Sequence, residues 1–399
     1  MYDVIVIGAG IVGSYTAHEL ARLGYSVCVL EKQPRPGHKT SCTGIVSRAC
    51  LEMLPAGPGI IQWEAHSAKI FSPAGKYIRV ERDSTQAYIL DRAALDRLMA
   101  KQAKAKGAEF HFSTTVSGAR TDGNCVQVQA TRHGEPGGFT ARAAVIASGS
   151  AAGITRSAGL GQVHEYAQGA QAQAERKNVA EVEVYSGAGT APGFFAWLVP
   201  SSQAHVKVGL LCRGNPKPYI TALLERLTQQ GKINQAAYDI SYGTIPLKPI
   251  SRTYTDRLLV VGDAAGQAKP TTGGGIYFGL LCARLAVQTL DESLKINDLS
   301  KRRLALYQRR WHKVLKNELA IDYWAHRFYQ ELDDKQIEHI FKIIERHGIH
   351  ESLLASPDIT FDWHSLVILD AIKHRSLQRS LEKLKAAPFR LFDGRTRSN

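Results

Sequence analysis

The chain has 399 residues, 44% hydrophobic and 22% charged, with a formal net charge of +14 from 50 basic and 36 acidic residues. This is the composition of a globular protein with room for two domains and a sizeable core, and it excludes a disordered or fibrous chain. No apolar run approaches the length of a bilayer span, and the first strand starts too early for a signal peptide.

The basic excess favours anionic partners, but the aromatic-interleaved basic motifs of nucleic-acid modules are missing, so no nucleic-acid partner is expected. The six cysteines (Cys28, Cys42, Cys50, Cys125, Cys212 and Cys282) are scattered and contain no CxxC pair. They fit a reducing cytoplasm better than a disulfide framework, and no metal site is expected.

Residues 2–7 (YDVIVI) form an apolar, β-branched run that reads as a buried parallel strand. Gly8-Ala-Gly10-Ile-Val-Gly13 follows, then a helical pattern to about Leu23, which Gly24 ends. Residues 26–30 read as the second strand, with Glu31 at its end. Residues 68–90 alternate as short strands. Asp91 is placed to cap a helix that runs to Gly107. Residues 109–146 read as strands with turns at Asp122-Gly123 and Pro136-Gly-Gly, and Val145–Gly149 as a buried strand ending in a small-residue turn. Residues 165–215 suggest a second, antiparallel sheet, and residues 218–231 a helix. Arg257–Val261 is again a buried strand, running into Gly262-Asp263. Gly273-Gly274-Gly275 opens a helix to Leu294, and the pattern is helical and charged from 298 onward.

The expected architecture is α/β. A Rossmann-type dinucleotide domain is assembled from 1–160 and 250–297, with 65–90 contributing to a substrate domain. An inserted antiparallel sheet over 161–249 supplies a substrate wall, and a helical region covers 298–399.

The glycine turn has a physical reading. The first glycine makes the tight turn, the second lets backbone approach a pyrophosphate, and the third lets helix and strand pack closely. The helix start at Ile11-Val12 offers free N–H groups and a positive dipole end. Glu31, followed by Lys32, lies where a carboxylate reaches ribose hydroxyls. This grip does not separate NAD from FAD.

The downstream segment Thr255–Gly266, with Gly262-Asp263, resembles the second fingerprint of FAD enzymes of the p-hydroxybenzoate hydroxylase-like class. The resemblance gives Asp263 the ribityl chain of FAD. Asp91-Arg92 resembles the Asp-Arg helix start of that class, with Arg92 near the cofactor.

Three further segments narrow the likeness. Pro270-Thr-Thr-Gly273-Gly274-Gly275-Ile276 resembles the Pro-x-x-Gly-Gly-Gly-Ile segment of the geranylgeranyl reductase family. Phe195-Ala-Trp197-Leu-Val-Pro200, with Gly209 beyond it, resembles that family's aromatic-x-Trp-x-Phe-Pro motif. Ser41-Cys42-Thr43-Gly44 resembles its cysteine-glycine segment. Val199 replaces the usual Phe, Cys-Thr-Gly replaces Cys-Gly-x-Gly, and Lys269 stands where asparagine is common.

The resemblance implies an FAD-dependent oxidoreductase that hydrogenates isoprenoid double bonds on a lipid, quinone or pigment precursor, with hydride from reduced flavin and a proton. Cys42, Gly274 and Gly275 would serve the chemistry. Gly149 joins the FAD contacts, and Phe195, Trp197 and Pro200 would wall the substrate. Cys42 is either a proton carrier or a small packing residue. A monooxygenase on the same scaffold is the alternative, because fold does not fix function.

The chain has no second dinucleotide fingerprint, so NADPH, ferredoxin or a quinol must reduce the flavin from outside. Residues 301–316 carry seven basic residues and no acid, interspersed with Leu304, Leu306, Tyr307, Trp311, Val314 and Leu315. They read as an amphipathic helix for an anionic membrane surface, or as a solvated helix packed on the FAD domain. The expected location is cytoplasmic, with peripheral membrane contact.

Overall fold

A computed structural model describes residues 1–38, 41–54, 57–151, 153–235, 237–356 and 360–378; the last part of the expected C-terminal helical region, 379–399, lies outside them. The chain divides into two compact units. The first comprises residues 1–62, 90–166 and 244–319, the second 63–89, 167–243 and 320–399.

At the centre of the first unit, Leu258–Val260, Glu135–Ile146, Tyr2–Ile7, Val27–Leu30 and Glu109–His111 lie side by side in that order, each neighbouring pair parallel. Val4, Ile5, Val6, Val145, Ile146 and Val260 have no exposed surface. A parallel sheet covered on both faces requires such unbroken apolar runs. The helix Ile11–Arg22 follows the glycine turn directly. The helix Arg92–Ala105 starts where expected, with the Asp91 carboxylate accepting from the Ala94 amide at 2.9 Å.

One reversal differs from the sequence reading. Pro136, Gly137 and Gly138 lie inside the strand Glu135–Ile146, paired with Thr131, Ala130 and Gln129. The chain turns instead at His133-Gly134, whose φ angles are 50° and 89°. Of the two-residue hairpin turns that match the twist of their strands, the type I′ turn takes left-handed residues at both central positions, as here. Pro136 is tolerated because the strand's other neighbour, Tyr2–Ile7, joins only at Ala141.

The second sheet has seven strands in the order Ile240–Pro246, Tyr166–Glu175, His205–Cys212, Ala196–Pro200, Val182–Tyr185, Ser67–Phe71 and Tyr77–Glu81. It is antiparallel as expected, apart from the parallel pair Val182–Tyr185 and Ser67–Phe71. One face carries Ala196, Leu198, Val206, Val208 and Leu210, which pack against Ile220, Leu223, Leu224 and Leu227 of the helix Lys217–Gln229. The helices Asp334–Arg346 and Ile349–Ala355 add a small cluster around Ile343, Ile349 and Leu377. Among the described residues, no helix is long and apolar enough to cross a membrane.

Candidate active site

The glycine turn is held by steric necessity. At Gly8, φ is 107° and a Cβ would lie 2.4 Å from the Ala147 carbonyl oxygen. At Gly13 a Cβ would lie 2.0 Å from the carbonyl oxygen of Gly8, closer than any real contact. At Gly10 a Cβ would meet nothing within 4 Å. Two of the glycines therefore bring strand and helix together, and the middle one leaves open space at the helix N-cap. No side chain caps that helix. Ile11 is buried, while Val12 packs its methyl groups between Gly262 and Gly279, where added Cβ atoms would lie 3.4 and 2.7 Å away. The side chains of Ile11 and Val12 are thus taken up by packing. The sequence reading missed Gly279, one helical turn past Gly275 and the condition for Val12 to fit.

Glu31 is locked beside this turn. Its Oε2 accepts from the Ala9 amide at 2.7 Å and its Oε1 from the Gln33 amide at 2.8 Å. A carboxylate accepts about four hydrogen bonds, so lone pairs remain for sugar hydroxyls. Lys32 is exposed beside it, and Gly149, with φ of 64°, is half-buried in the turn that follows the strand Glu135–Ile146.

A second group assembles around Arg92. Its Nη2 donates to Asp96 Oδ1 at 3.0 Å, its Nη1 lies 4.0 Å from Cys42 Sγ, and its Nε is buried with no hydrogen-bond partner. Gly44 allows this approach. Its φ is 79°, and a Cβ there would stand 2.5 Å from the Leu90 carbonyl oxygen and 3.1 Å from Arg92 Cγ. Cys42 and Thr43 are half-buried in the same segment. Burial pushes the Asp263 carboxyl up to about 6, and the positive charge of Arg92 pulls it partly back.

The triple-glycine loop closes on Lys269. The Gly273 amide donates to the Lys269 carbonyl at 2.8 Å, and the Lys269 amide to the Gly274 carbonyl at 3.2 Å. Gly273 has φ of 74°, and a Cβ on Gly275 would lie 2.7 Å from Asp263 Oδ1. Gly274 is exposed, with no atom closer than 3.6 Å to an added Cβ, so it is the open member of the three. Pro270 is buried, Ile276 is half-buried, and the helix Ile276–Lys295 begins without a side-chain cap.

The residue pattern of the FAD dependent oxidoreductase family matches residues 3–73 and 68–209. A digeranylgeranylglycerophospholipid reductase of Methanothermobacter thermautotrophicus is 30% identical over 371 residues, covering 86% of this chain and 92% of that protein. The chain belongs to this reductase family of FAD-dependent oxidoreductases. The Methanocaldococcus jannaschii member of the family is 29% identical over 349 residues, 85% of this chain and 89% of that protein. The crystal structure of a geranylgeranyl bacteriochlorophyll reductase-like protein from Thermoplasma acidophilum has the same fold. Its TM-score is 0.83 at 23% identity, over 96% of this chain and 99% of that one.

FAD is the cofactor of this reductase family member, and the residues fit it. The open face at Gly10 suits a pyrophosphate, and Glu31 keeps acceptor capacity for ribose hydroxyls. Asp263 is a strand-end carboxylate, and the orphaned Arg92 Nε is a buried donor without a protein acceptor.

The proposed substrate residues lie on the second sheet. Phe195 and Trp197 share a face, ring centroids 5.9 Å apart, and the Trp197 ring lies against Gly209, its register partner. A Cβ on Gly209 would be 2.4 Å from that ring. Strand alternation puts Pro200 on the opposite face, paired with Val206 and sharing the side of Ala196 and Leu198. Pro200 therefore does not join Phe195 and Trp197 in one wall. Trp197 Nε1 is buried without a hydrogen-bond partner, a donor that the sequence could not reveal.

Proposed function

We propose that the chain hydrogenates carbon–carbon double bonds of a geranylgeranyl-type chain carried by a lipid. The observation that carries this reading is the 30% identity to a digeranylgeranylglycerophospholipid reductase along 86% of the chain. The relatives at this level are named reductases, which favours hydrogenation over hydroxylation.

Each double bond gains a hydride on one carbon and a proton on the other, and both electrons arrive with the hydride. When bound and reduced, FAD supplies that hydride. A donor outside the chain (NADPH, ferredoxin or a quinol) restores the two electrons.

The chain's own residues bind, orient and exclude water. Gly8, Gly10, Gly13 and Glu31 grip the adenosine half of the cofactor. Asp263 and Arg92 hold its middle. Gly274 and Gly275 offer backbone at the helix start, where the dipole favours negative charge. Cys42, with the Arg92 guanidinium beside its sulfur, is the candidate to pass the proton. Phe195 and Trp197 present an aromatic face suited to isoprene units, and ligands of that size bury most of their surface in apolar walls.

The test is anaerobic incubation of chemically reduced enzyme with candidate prenyl lipids, followed by mass spectrometry. A gain of two hydrogens per reduced bond is expected, and no gain on any prenyl lipid overturns the reading. A Cys42→Ala enzyme should keep its FAD while turnover falls at least about 100-fold, the low end of what one positioned proton donor contributes. Unchanged turnover would make Cys42 a packing residue.

A further inference from the structure

The helix Lys301–Gln330 carries charge that the catalytic reading leaves unused. Its first five turns are amphipathic in an unusual sense. Leu304, Tyr307 and Leu315 have no exposed surface, and Trp311 and Leu319 have at most 3%. Polar tips lock this face in place: Tyr307 donates to the Val260 carbonyl at 2.9 Å, and Trp311 Nε1 donates to Thr253 Oγ1 at 3.0 Å. The helix therefore cannot roll its apolar side outward. Of the two readings the sequence left open for residues 301–316, the packed helix holds for this apolar face, because Leu304, Tyr307, Trp311 and Leu315 are buried in the first unit.

The outer side is different. Arg303 and Arg310 are spent on Glu292, at 3.3 and 2.8 Å. Lys301, Arg302, Arg309, Lys313 and Lys316 are exposed, and among the described residues none has an ion-pair partner. Arg302, Arg309, Lys313 and Lys316 recur at steps of seven, four and three, which keeps them on one stripe about 21 Å long at 1.5 Å per residue. Val314, 44% exposed, lies about 100° round the helix from the stripe, at the margin of the buried face. At the N-terminal end the stripe borders a cavity of ≈ 910 Å³ whose lining includes Tyr254, Arg302, Leu306, Arg309 and His312. Asp298 is the one acid in that lining, and its carboxylate is held below the usual range, first by hydrogen bonds from Ser300 and then by Arg303 and Arg302.

We propose that this stripe docks the protein on an anionic phospholipid bilayer, with the adjoining cavity receiving headgroup phosphates. A line of long, unpaired cations matches a plane of phosphates, and each such residue near an anionic surface contributes about fivefold in partition. The apolar face is unavailable for insertion, so docking is wholly electrostatic and reversible, and salt near 1 M, where the screening length falls to about 3 Å, releases it. The idea rests on the reductase reading for the presence of a lipid substrate.

The FAD-loaded full chain is sedimented with phosphatidylcholine vesicles, with or without phosphatidylglycerol and free of isoprenoid chains. Binding is expected only to the anionic vesicles, reversed by salt. Arg309→Gln with Lys313→Gln should weaken it about 25-fold. Lys101→Gln with Lys106→Gln, which removes equal charge from another exposed site, should change it little. Equal binding to neutral vesicles, equal loss from both double variants, or displacement by inorganic phosphate or duplex DNA at matched ionic strength overturns the proposal. If docking fails while micellar prenyl lipid is still hydrogenated, only the docking falls. If docking holds and no lipid is hydrogenated, only the reductase reading falls.

Discussion

In the first unit Gly13 has no room for a Cβ because the Gly8 carbonyl oxygen would stand 2.0 Å away; in the second, Gly209 has none because the Trp197 ring would stand 2.4 Å away. The two constraints differ in range. Gly13 answers to a residue five positions back in one continuous turn. Gly209 answers to a side chain on the neighbouring strand, in register only because the sheet has formed. The glycine turn is thus built from local necessity, and the aromatic face from pairing across strands.

The largest test of this contrast is Gly13→Ala. The clash is with backbone, which cannot step aside, so FAD affinity should fall more than 100-fold and purified protein should lack flavin absorbance. Retention of FAD would show that strand and helix can separate there.

Gly209→Ala should act on the other unit. Displacing the Trp197 ring should cost about 1–3 kcal/mol in chemical denaturation while flavin content stays unchanged. Adding Trp197→Leu should return part of that loss. If Gly209→Ala instead strips FAD, the two constraints are not independent.

The smallest effect concerns pH in FAD-free protein. Burial raises the Asp263 carboxyl from 3.8 to about 6, so the native state holds a proton that the unfolded state has released. Its contribution to stability is full below 3.8 and is lost as pH rises to about 6. In the second unit, burial and then Arg327 lower His326 from 6.5 to about 4, so the unfolded state binds the extra proton. That contribution is full above 6.5 and is lost as pH falls toward 4. Between pH 4 and 6 the two slopes oppose each other. Asp263→Asn should make stability rise with pH in that window, and His326→Gln should make it fall, as read by urea midpoints. Parallel slopes in the two variants would refute the assignment.

The parallel core and its order of elements were legible because buried strands in such sheets are unbroken apolar runs. The glycine turn was legible because its constraints lie within a few residues. The turn near 134 was not, because Pro136-Gly-Gly carries stronger turn composition than His133-Gly134. Only the pairing of Glu135–Ile146 with Cys125–Arg132 demands left-handed residues at 133 and 134. Around Asp263, the sequence supplied the carboxylate and the glycines but not their dependence. That Gly275 must lack a Cβ to pass Asp263, and Gly279 to admit Val12, follows from packing between distant segments.

By itself, then, the sequence determined the local geometry at Gly8, Gly10, Gly13 and Glu31, since a tight turn, an open helix start and a strand-end acid are local properties. The long basic helix was undecidable at that level. An apolar stripe of Leu304, Tyr307, Trp311 and Leu315 suits a lipid surface or a protein core equally well, because both reward burial of the same area. Only the tertiary structure chose between them, by filling that stripe with the core of the first unit and leaving Arg302, Arg309, Lys313 and Lys316 to the solvent.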